Sequence, residues 1–377
     1  MKKIGNPGAA TMLAVATAIG APVAEAQQVL EIDTAAGRVI IDDIWRAIGT
    51  VDDIVLDRDR AILYVTDAEE PEGVMAFSLE TGEWIRTIST PTGDGPHELS
   101  EGLTGMSLAR DGGLYVSGHL RILEFDALGS FVSYWQPRAE PRKKVCGFDG
   151  QPAIPVRGGL IRRGPDGTDE GVGPGEVDGR GADRVIWKTE TVEGSRTGRS
   201  GWTAVAQVAC TDAEAYVVLS YGEGPDSVFV YHRDGEMQTL AVPTDFAEVR
   251  DGCTVKVTMP SGRSVDWPCG RWNRQLRPSL DDRGDLVLLG RNVEVPGTVV
   301  DPETGCHAIV RKPGPSLDFD AWHIYQDSAL VFEYATGSTD RGGSYISQQA
   351  NRVFLRPLRR ISGEPCPGML PSVDGVG

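Results

Sequence analysis

GLTGMSLARDGGLYVSGHLRILEFDALGSFVSYW, residues 102–135, sets four short β-type segments in one stretch. TGMSLA, GLYVSG, RILEFD and SFVSYW alternate or run apolar over strand length, and turn signals stand at Asp111-Gly112 and Leu128-Gly129. The centre of the pattern, an acidic residue shortly before an aliphatic or aromatic run, recurs along the chain. Asp111 precedes Leu114-Tyr115-Val116, Asp59 precedes Leu63-Tyr64-Val65, and Asp212 precedes Ala215-Tyr216-Val217. Asp282 stands before Leu286-Val287-Leu288 and Asp327 before Leu330-Val331-Phe332, and a weaker sixth copy is Leu160-Ile161 after Gly158-Gly159. Their middle residues are 64, 115, 161, 216, 287 and 331, with gaps of 51, 46, 55, 71 and 44. Recurrence at that period belongs to a radial array of four-stranded sheets. The expected fold is all-β, a six-bladed β-propeller of four-stranded antiparallel blades.

Working outward, the first unit covers about 51–88, with Glu80-Thr81-Gly82 as its outer hairpin turn. A third, irregular unit covers about 144–191, and its Gly-rich, charged stretch 164–183 reads as a surface excursion. The fourth runs from Thr203 to Pro243, turning at Asp234-Gly235. The fifth begins with an insertion, 250–274, and turns at Glu303-Thr304-Gly305. The last, Leu317 to Leu358, offers three good strands and a Gly-rich stretch from Thr339 to Ser344. The early segment Gly37 to Trp45, GRVIIDDIW, is a strand without a partner nearby and is expected to complete that last unit. Such closure removes the exposed edges of an open array. The propeller is expected over 27–360, with a tail at 361–377.

Residues 1–26 have the order of a secretory leader: Lys2 and Lys3, an Ala-rich apolar stretch from about Ala9 to Ala21, then the small-x-small site Ala24-Glu25-Ala26. Cleavage there makes Gln27 the first mature residue and places the protein in the periplasm or outside the cell. No later apolar stretch approaches the ~20 residues of a membrane span. Cleavage removes two lysines and one glutamate, moving the net charge from −17 to −18. An acidic chain of this kind disfavours nucleic acid, which needs clustered Lys and Arg. The 47 glycines and 24 prolines suit many short strands joined by turns.

All six cysteines follow residue 145. In an oxidising compartment they imply up to three disulfides, and their spacing is unlike a zinc site. Cys253 and Cys269 stand near the ends of the insertion around Pro260-Ser261-Gly262, so a bond between them would pin a hairpin there. Cys146 and Cys210 end candidate innermost strands of consecutive units, and Cys306 is placed to tie the fifth unit to Cys366 in the tail.

Gly93-Asp94-Gly95-Pro96-His97-Glu98-Leu99, the Asp-Gly turn before Leu114-Tyr115-Val116, and Arg121-Ile122-Leu123-Glu124-Phe125 ending in Asp126-Ala127-Leu128-Gly129 together resemble an NHL-type repeat. A second G-P-x-E is Gly173-Pro174-Gly175-Glu176. The resemblance implies a six-bladed propeller like those exported by bacteria, a group of scaffolds, peptide- and polymer-binding modules, lyases and lactonase-like enzymes. Function therefore has to come from the site.

Asp94, His97, Glu98 and Arg121 form the best polar constellation, a candidate ligand-binding rim. A competing reading has the Gly-Pro run shape a turn while Glu98 bonds local amides. His119, His232, His307 and His323 show no metal-binding spacing. Trp135, Trp202, Trp267, Trp272 and Trp322 lie near unit ends or in the insertion, placed to stack on a ligand or to pack units together. There is no G-x-S-x-G elbow, and no catalytic residue is assigned. The Gly-rich stretch 158–181 lacks the G-K-[ST] of a phosphate loop and reads as surface loop. The expected function is binding of a protein, peptide or small molecule at a loop-built face, without a cofactor. The alternative is a lactonase-like hydrolase or lyase with calcium in the central channel, a cation that needs several convergent oxygens.

Overall fold

The computed structural model describes residues 28–42, 48, 51–67, 73–100, 102–138, 145–156, 159–173, 205–220, 227–241, 254–258, 264–268, 276–281, 283–290, 297–311, 319–338 and 344–366. Among them there is no helix. Strands β1 (Gln28–Ile32) and β2 (Arg38–Asp42) come first. Four separate four-stranded antiparallel sheets follow, each wound in chain order. The first holds β3 (Val51–Asp57), β4 (Ile62–Asp67), β5 (Gly73–Ser78) and β6 (Trp84–Ser89). The second holds β7 (Gly105–Leu108), β8 (Leu114–Ser117), β9 (Ile122–Phe125) and β10 (Phe131–Trp135). In the third are β11 (Cys146–Phe148), β12 (Gln151–Val156), β13 (Gly159–Arg163) and β14 (Asp169–Val172). The fourth comprises β15 (Val205–Cys210), β16 (Glu214–Ser220), β17 (Ser227–His232) and β18 (Met237–Ala241).

The insertion forms a hairpin of β19 (Thr254–Thr258) and β20 (Ser264–Pro268). Last comes a nine-stranded sheet. One run in it is β21 (Leu276–Leu280), β22 (Leu286–Gly290), β23 (Gly297–Val300) and β24 (His307–Arg311). The other is β25 (Phe319–Tyr325), β26 (Ser328–Ser338), β27 (Ser344–Gly363) and β2, with β1 joining the two runs. The whole is a propeller-like arrangement of four-stranded sheets, and their first strands neighbour one another from β3 through β7, β11, β15 and β21 to β25.

The repeated sequence triplet is explained by strand alternation. Successive side chains of a strand point to opposite faces, and a sheet packed on both faces buries both sets. Leu63 and Val65 pack on Leu330, Phe332 and Leu355 of the last run, whereas Tyr64 packs on Met106 and Leu114 of the second sheet. Leu114 and Val116 face back to the first sheet, and Tyr115 faces Ile154 and Val156 of the third. Ala215 and Val217 meet the third sheet, while Tyr216 meets Leu286 and Leu288. Val287 faces Ile324 and Val331. The core is thus a set of clusters between successive sheets, and the cluster of Leu63 joins the last run to the first.

Three expectations need correction. Leu160-Ile161 lies on β13, the third strand of its sheet, and the true counterpart of the triplet is on β12. Pro152 and Pro155 hid β12, because proline lacks the donor that an interior strand uses. In the last run Val331 faces the β21–β24 run while Leu330 and Phe332 face the first sheet, so the equivalent residue is one position away. Part of the stretch read as surface loop is strand: β13 and β14 pair from Leu160↔Val172 to Arg163↔Asp169.

The segment GRVIIDDIW does supply the outer strand of the last run, with Arg38↔Leu355 and Asp42↔Arg352. The Glu80-Thr81-Gly82 turn packs on it: Gly82 has φ 74°, and a Cβ there would lie 1.7 Å from the Ile40 carbonyl oxygen. β1, by contrast, was not foreseen. Disulfides join Cys146 to Cys210, between the first strands of the third and fourth sheets, and Cys306 to Cys366, between the two runs of the large sheet. Cys253, Cys269 and the stretch 339–343 lie outside the described residues.

Burial is the main cause that raises the hydroxyls of Tyr64, Tyr115, Tyr216 and Tyr231 above the ordinary tyrosine value. An acid held neutral by folding contributes stability that is intact below its unfolded value, about pH 10, and is lost as pH rises past it. In an alkaline titration followed by tyrosinate absorbance and circular dichroism, these four should ionise only as the β-signal collapses. Ionisation of all 9 tyrosines with an intact β-signal would contradict this packing.

Candidate functional site

Between β6 and β7 the Gly-Pro stretch makes a closed turn. The Gly93 amide donates to the Leu99 carbonyl at 3.1 Å and the Leu99 amide to the Pro91 carbonyl at 2.9 Å. The Glu98 carboxylate folds back to accept the Gly95 amide at 2.7 Å, and a Cβ on Gly93 would lie 2.1 Å from it. Arg121, just before β9, donates to the carbonyls of Gly95, Glu98 (3.3 Å) and Asp94 (3.4 Å). The four residues singled out in the sequence therefore come together. Glu98 and Arg121 shape the turn, while Asp94 and His97 stay exposed on it.

His97 meets the ring of Phe131 edge-on, with centroids 6.0 Å apart, and the Arg121 guanidinium lies 5.5 Å from the Tyr134 ring centroid. Both aromatics belong to β10, the outer strand of its sheet, whose far side has no paired strand among the described residues. The register slips between Phe131 and Ser133, so the consecutive Phe131 and Val132 are both exposed. With Tyr134 and Leu128, they form an apolar edge in a stretch, 127–137, that carries no charged side chain. Sequence reading took SFVSYW only as a strand. The signal available there was Phe-Val breaking the alternation in an uncharged outer segment.

Two clefts flank this edge, and Val132 lines both. One, about 610 Å³, is bounded by Pro96, Phe131, Tyr134, Gln136 and Arg163. The other, about 430 Å³, lies against the third sheet between Arg110, Asp111, Asp126, Asp149 and Gln151. At its floor the Tyr115 hydroxyl donates to the Gly150 carbonyl at 3.1 Å. Asp149, at φ 53°, is held by Arg162 at 2.6 Å and Arg233 at 2.9 Å. Asp126 accepts the amides of Ser130 (2.8 Å) and Leu128 (2.9 Å), which hold its carboxyl below the usual carboxylate range.

Polar groups on the first strands tie neighbouring sheets together. Asp53 accepts the Met106 amide at 3.0 Å, Ser107 accepts the Gly147 amide at 3.2 Å, and just past β11 and β15 the Asp149 amide donates to the Asp212 carbonyl at 3.2 Å. A ring nitrogen of His323 lies 3.4 Å from the Ile54 carbonyl. Among the described residues no three of His, Cys, Asp and Glu are grouped so that they could hold a metal ion. Trp135 is buried with its indole donating to Asp169 at 3.1 Å. Trp267 falls on β20 and Trp322 on β25, while Trp202 and Trp272 lie outside the described residues.

No protein-family model and no curated protein matches this chain. Solved structures similar to it include U3-55K, at TM-score 0.47 and 10% identity over 86% of this chain and 99% of that one. A gluconolactonase from Xanthomonas campestris has TM-score 0.45 and 12% identity, covering 90% of this chain and 99% of its own. The WD40 domain of Neurospora crassa Pan2 has TM-score 0.40 and 10% identity over 85% and 93%.

Replacing Arg121 removes three carbonyl contacts at once. Arg121→Ala should leave the sheets intact and speed hydrogen exchange at the Gly93 and Leu99 amides by about tenfold or more, since hydrogen bonds to a charged group contribute ~1.5–3 kcal/mol. Unchanged protection would remove Arg121 as the clamp of this turn.

Proposed function

We propose that the chain is an exported six-bladed propeller of NHL-like pattern that binds an extended segment of a protein or peptide partner at the rim of its second blade. The binding surface is the β10 edge, flanked by the two clefts and by the 93–99 turn with Asp94 and His97. One observation carries this reading: the outer strand β10, whose far edge has no partner among the described residues, exposes Phe131, Val132 and Tyr134, with Leu128 exposed on the turn before it and no charged side chain from 127 to 137, in a chain of net charge −17. Natural sheets normally blunt such edges with charges, prolines or a covering loop. Contiguous exposed apolar surface marks an interaction site, and an extended peptide can add a strand to a free edge while its side chains fill alternate pockets. Support for six blades comes from the six inter-sheet clusters, which run from the first sheet round to the last run and back. Two disulfides and the leader-like residues 1–26 support an oxidising compartment.

Selection of displayed random peptides on the immobilised chain, followed by titration of the winners, tests the surface. Val132→Lys and Tyr134→Glu should each weaken binding at least ~10-fold, a change of ~1.4 kcal/mol. Their unfolding midpoints should match the parent, because both side chains are exposed. Winners that bind the variants as well as the parent would move the site elsewhere.

A further inference from the structure

Val132 stands at the open edge of β10 with a cleft on either side, and the two clefts differ in chemistry. The larger, about 610 Å³, presents Pro96, Phe131, Tyr134 and Gln136. Arg163, its one charged side chain among the described residues, is bound to Glu124 at 3.2 Å. The smaller, about 430 Å³, sets four carboxylates, of Asp111, Glu124, Asp126 and Asp149, against one guanidinium, that of Arg110. Most of these charges are answered. Glu124 meets Arg163, Asp149 meets Arg162 at 2.6 Å and Arg233 at 2.9 Å, and Arg110 pairs with Asp212 at 3.6 Å. Asp111 and Asp126 have no ion pair among the described residues. Of Asp111, Arg60 reaches the backbone carbonyl at 2.7 Å, and the Asp126 carboxylate takes the neutral amides of Leu128 and Ser130.

An extended segment added to a sheet edge turns alternate side chains to opposite faces of the sheet, so it can fill two different clefts at once. Val132 lines both clefts, which places them within a few residues of one another along such a segment. On the reading that β10 is the binding edge, we infer that the bound segment carries a Lys or Arg side chain that enters the cleft of Asp111 and Asp126, a few positions from an apolar or aromatic side chain that enters the cleft of Phe131 and Tyr134. The open edge defines the site, and the carboxylates select what lies on it. A basic side chain lays its apolar stem along exposed Val132 while its charged head meets the two aspartates. An acidic side chain in the same place meets four carboxylates and one guanidinium and is repelled. Selectivity thus has an attractive and a repulsive element. The net charge of −17 acts in the same direction at longer range, drawing basic segments toward the chain.

The probes are peptides selected from a displayed random library on the immobilised chain. Winners should carry Lys or Arg about two to four positions from an apolar or aromatic residue. Each is then synthesised twice, as selected and with that basic residue changed to methionine, and both forms are titrated. The basic form should lose about fivefold or more in affinity on the double variant Asp111→Asn, Asp126→Asn, and should weaken as salt is raised. The methionine form should bind parent and double variant alike. Asparagine keeps the oxygen that accepts the Leu128 and Ser130 amides, so the unfolding midpoint should stay at the parent value. Winners without Lys or Arg, or a basic form that binds parent and double variant equally, would overturn the inference. Tyr134→Glu, which changes the edge and the apolar cleft alone, tells the two readings apart. Binding lost on Tyr134→Glu but indifferent to the two aspartates leaves the β10 edge standing and removes the basic side chain. Winners indifferent to Tyr134→Glu, or a library that yields none, remove both.

Discussion

The double pairing of β1 is the interaction on which the rest of the structure depends. Without it the large sheet falls into two runs, joined among the described residues by side-chain packing, the Arg283–Asp327 pair and the Cys306–Cys366 disulfide. The cost of leaving such edges open is high, because unpaired backbone donors and acceptors at a sheet edge recruit other strands. β2 continues the same logic a few residues later by covering the other half of β27. Residues 28–42 thus lie along β27, held to it by the backbone hydrogen bonds of β1 and β2. The Cys306–Cys366 bond fixes this closure at one end.

Around the remaining seams the ring is held by packing, with guanidinium groups adding direction. Arg60 reaches from the first sheet to the carbonyls of Asp111 (2.7 Å) and Gly112 (2.6 Å) in the turn of the second. Arg86 donates to Ala127 at 2.6 Å, and Arg58 to Ile324 across the join of last run and first sheet at 3.4 Å. Arg283 pairs with Asp327 at 3.4 Å between the two runs of the large sheet. Exposed ion pairs contribute little by themselves, typically about 0–1 kcal/mol. Bonds from guanidinium to carbonyl instead satisfy turn oxygens that the strands leave unpaired.

Much of this was legible in the residues. The triplets Leu63-Tyr64-Val65 and Leu114-Tyr115-Val116 mark sheets buried on both faces, because only such a sheet buries three consecutive side chains. GRVIIDDIW was legible as a strand in search of a partner, and Cys146–Cys210 and Cys306–Cys366 were two of several pairings that the placement of the cysteines along the units suggested. β12 was not legible, since two prolines suppress the strand signal that its neighbours enforce. At the candidate site Asp94, Glu98 and Arg121 meet in the 93–99 turn, which also carries His97. That Arg121 clamps the carbonyls of a turn more than 20 residues earlier, and that Phe131 and Val132 are both exposed through a register slip against β9, are decided by pairings between strands.

Sequence by itself determined the class of fold, its repeating unit and the segment that returns to the last strand, because alternation, turn residues and period are properties of neighbours along the chain. Only the tertiary structure decided which face each triplet residue covers, which strand edge is left open, and that β1 sits between β24 and β27. Those outcomes depend on pairings such as Gln28 with both Ala308 and Gly363. Residues hundreds of positions apart carry no mark of one another until backbone hydrogen bonds and a shared core bring them together.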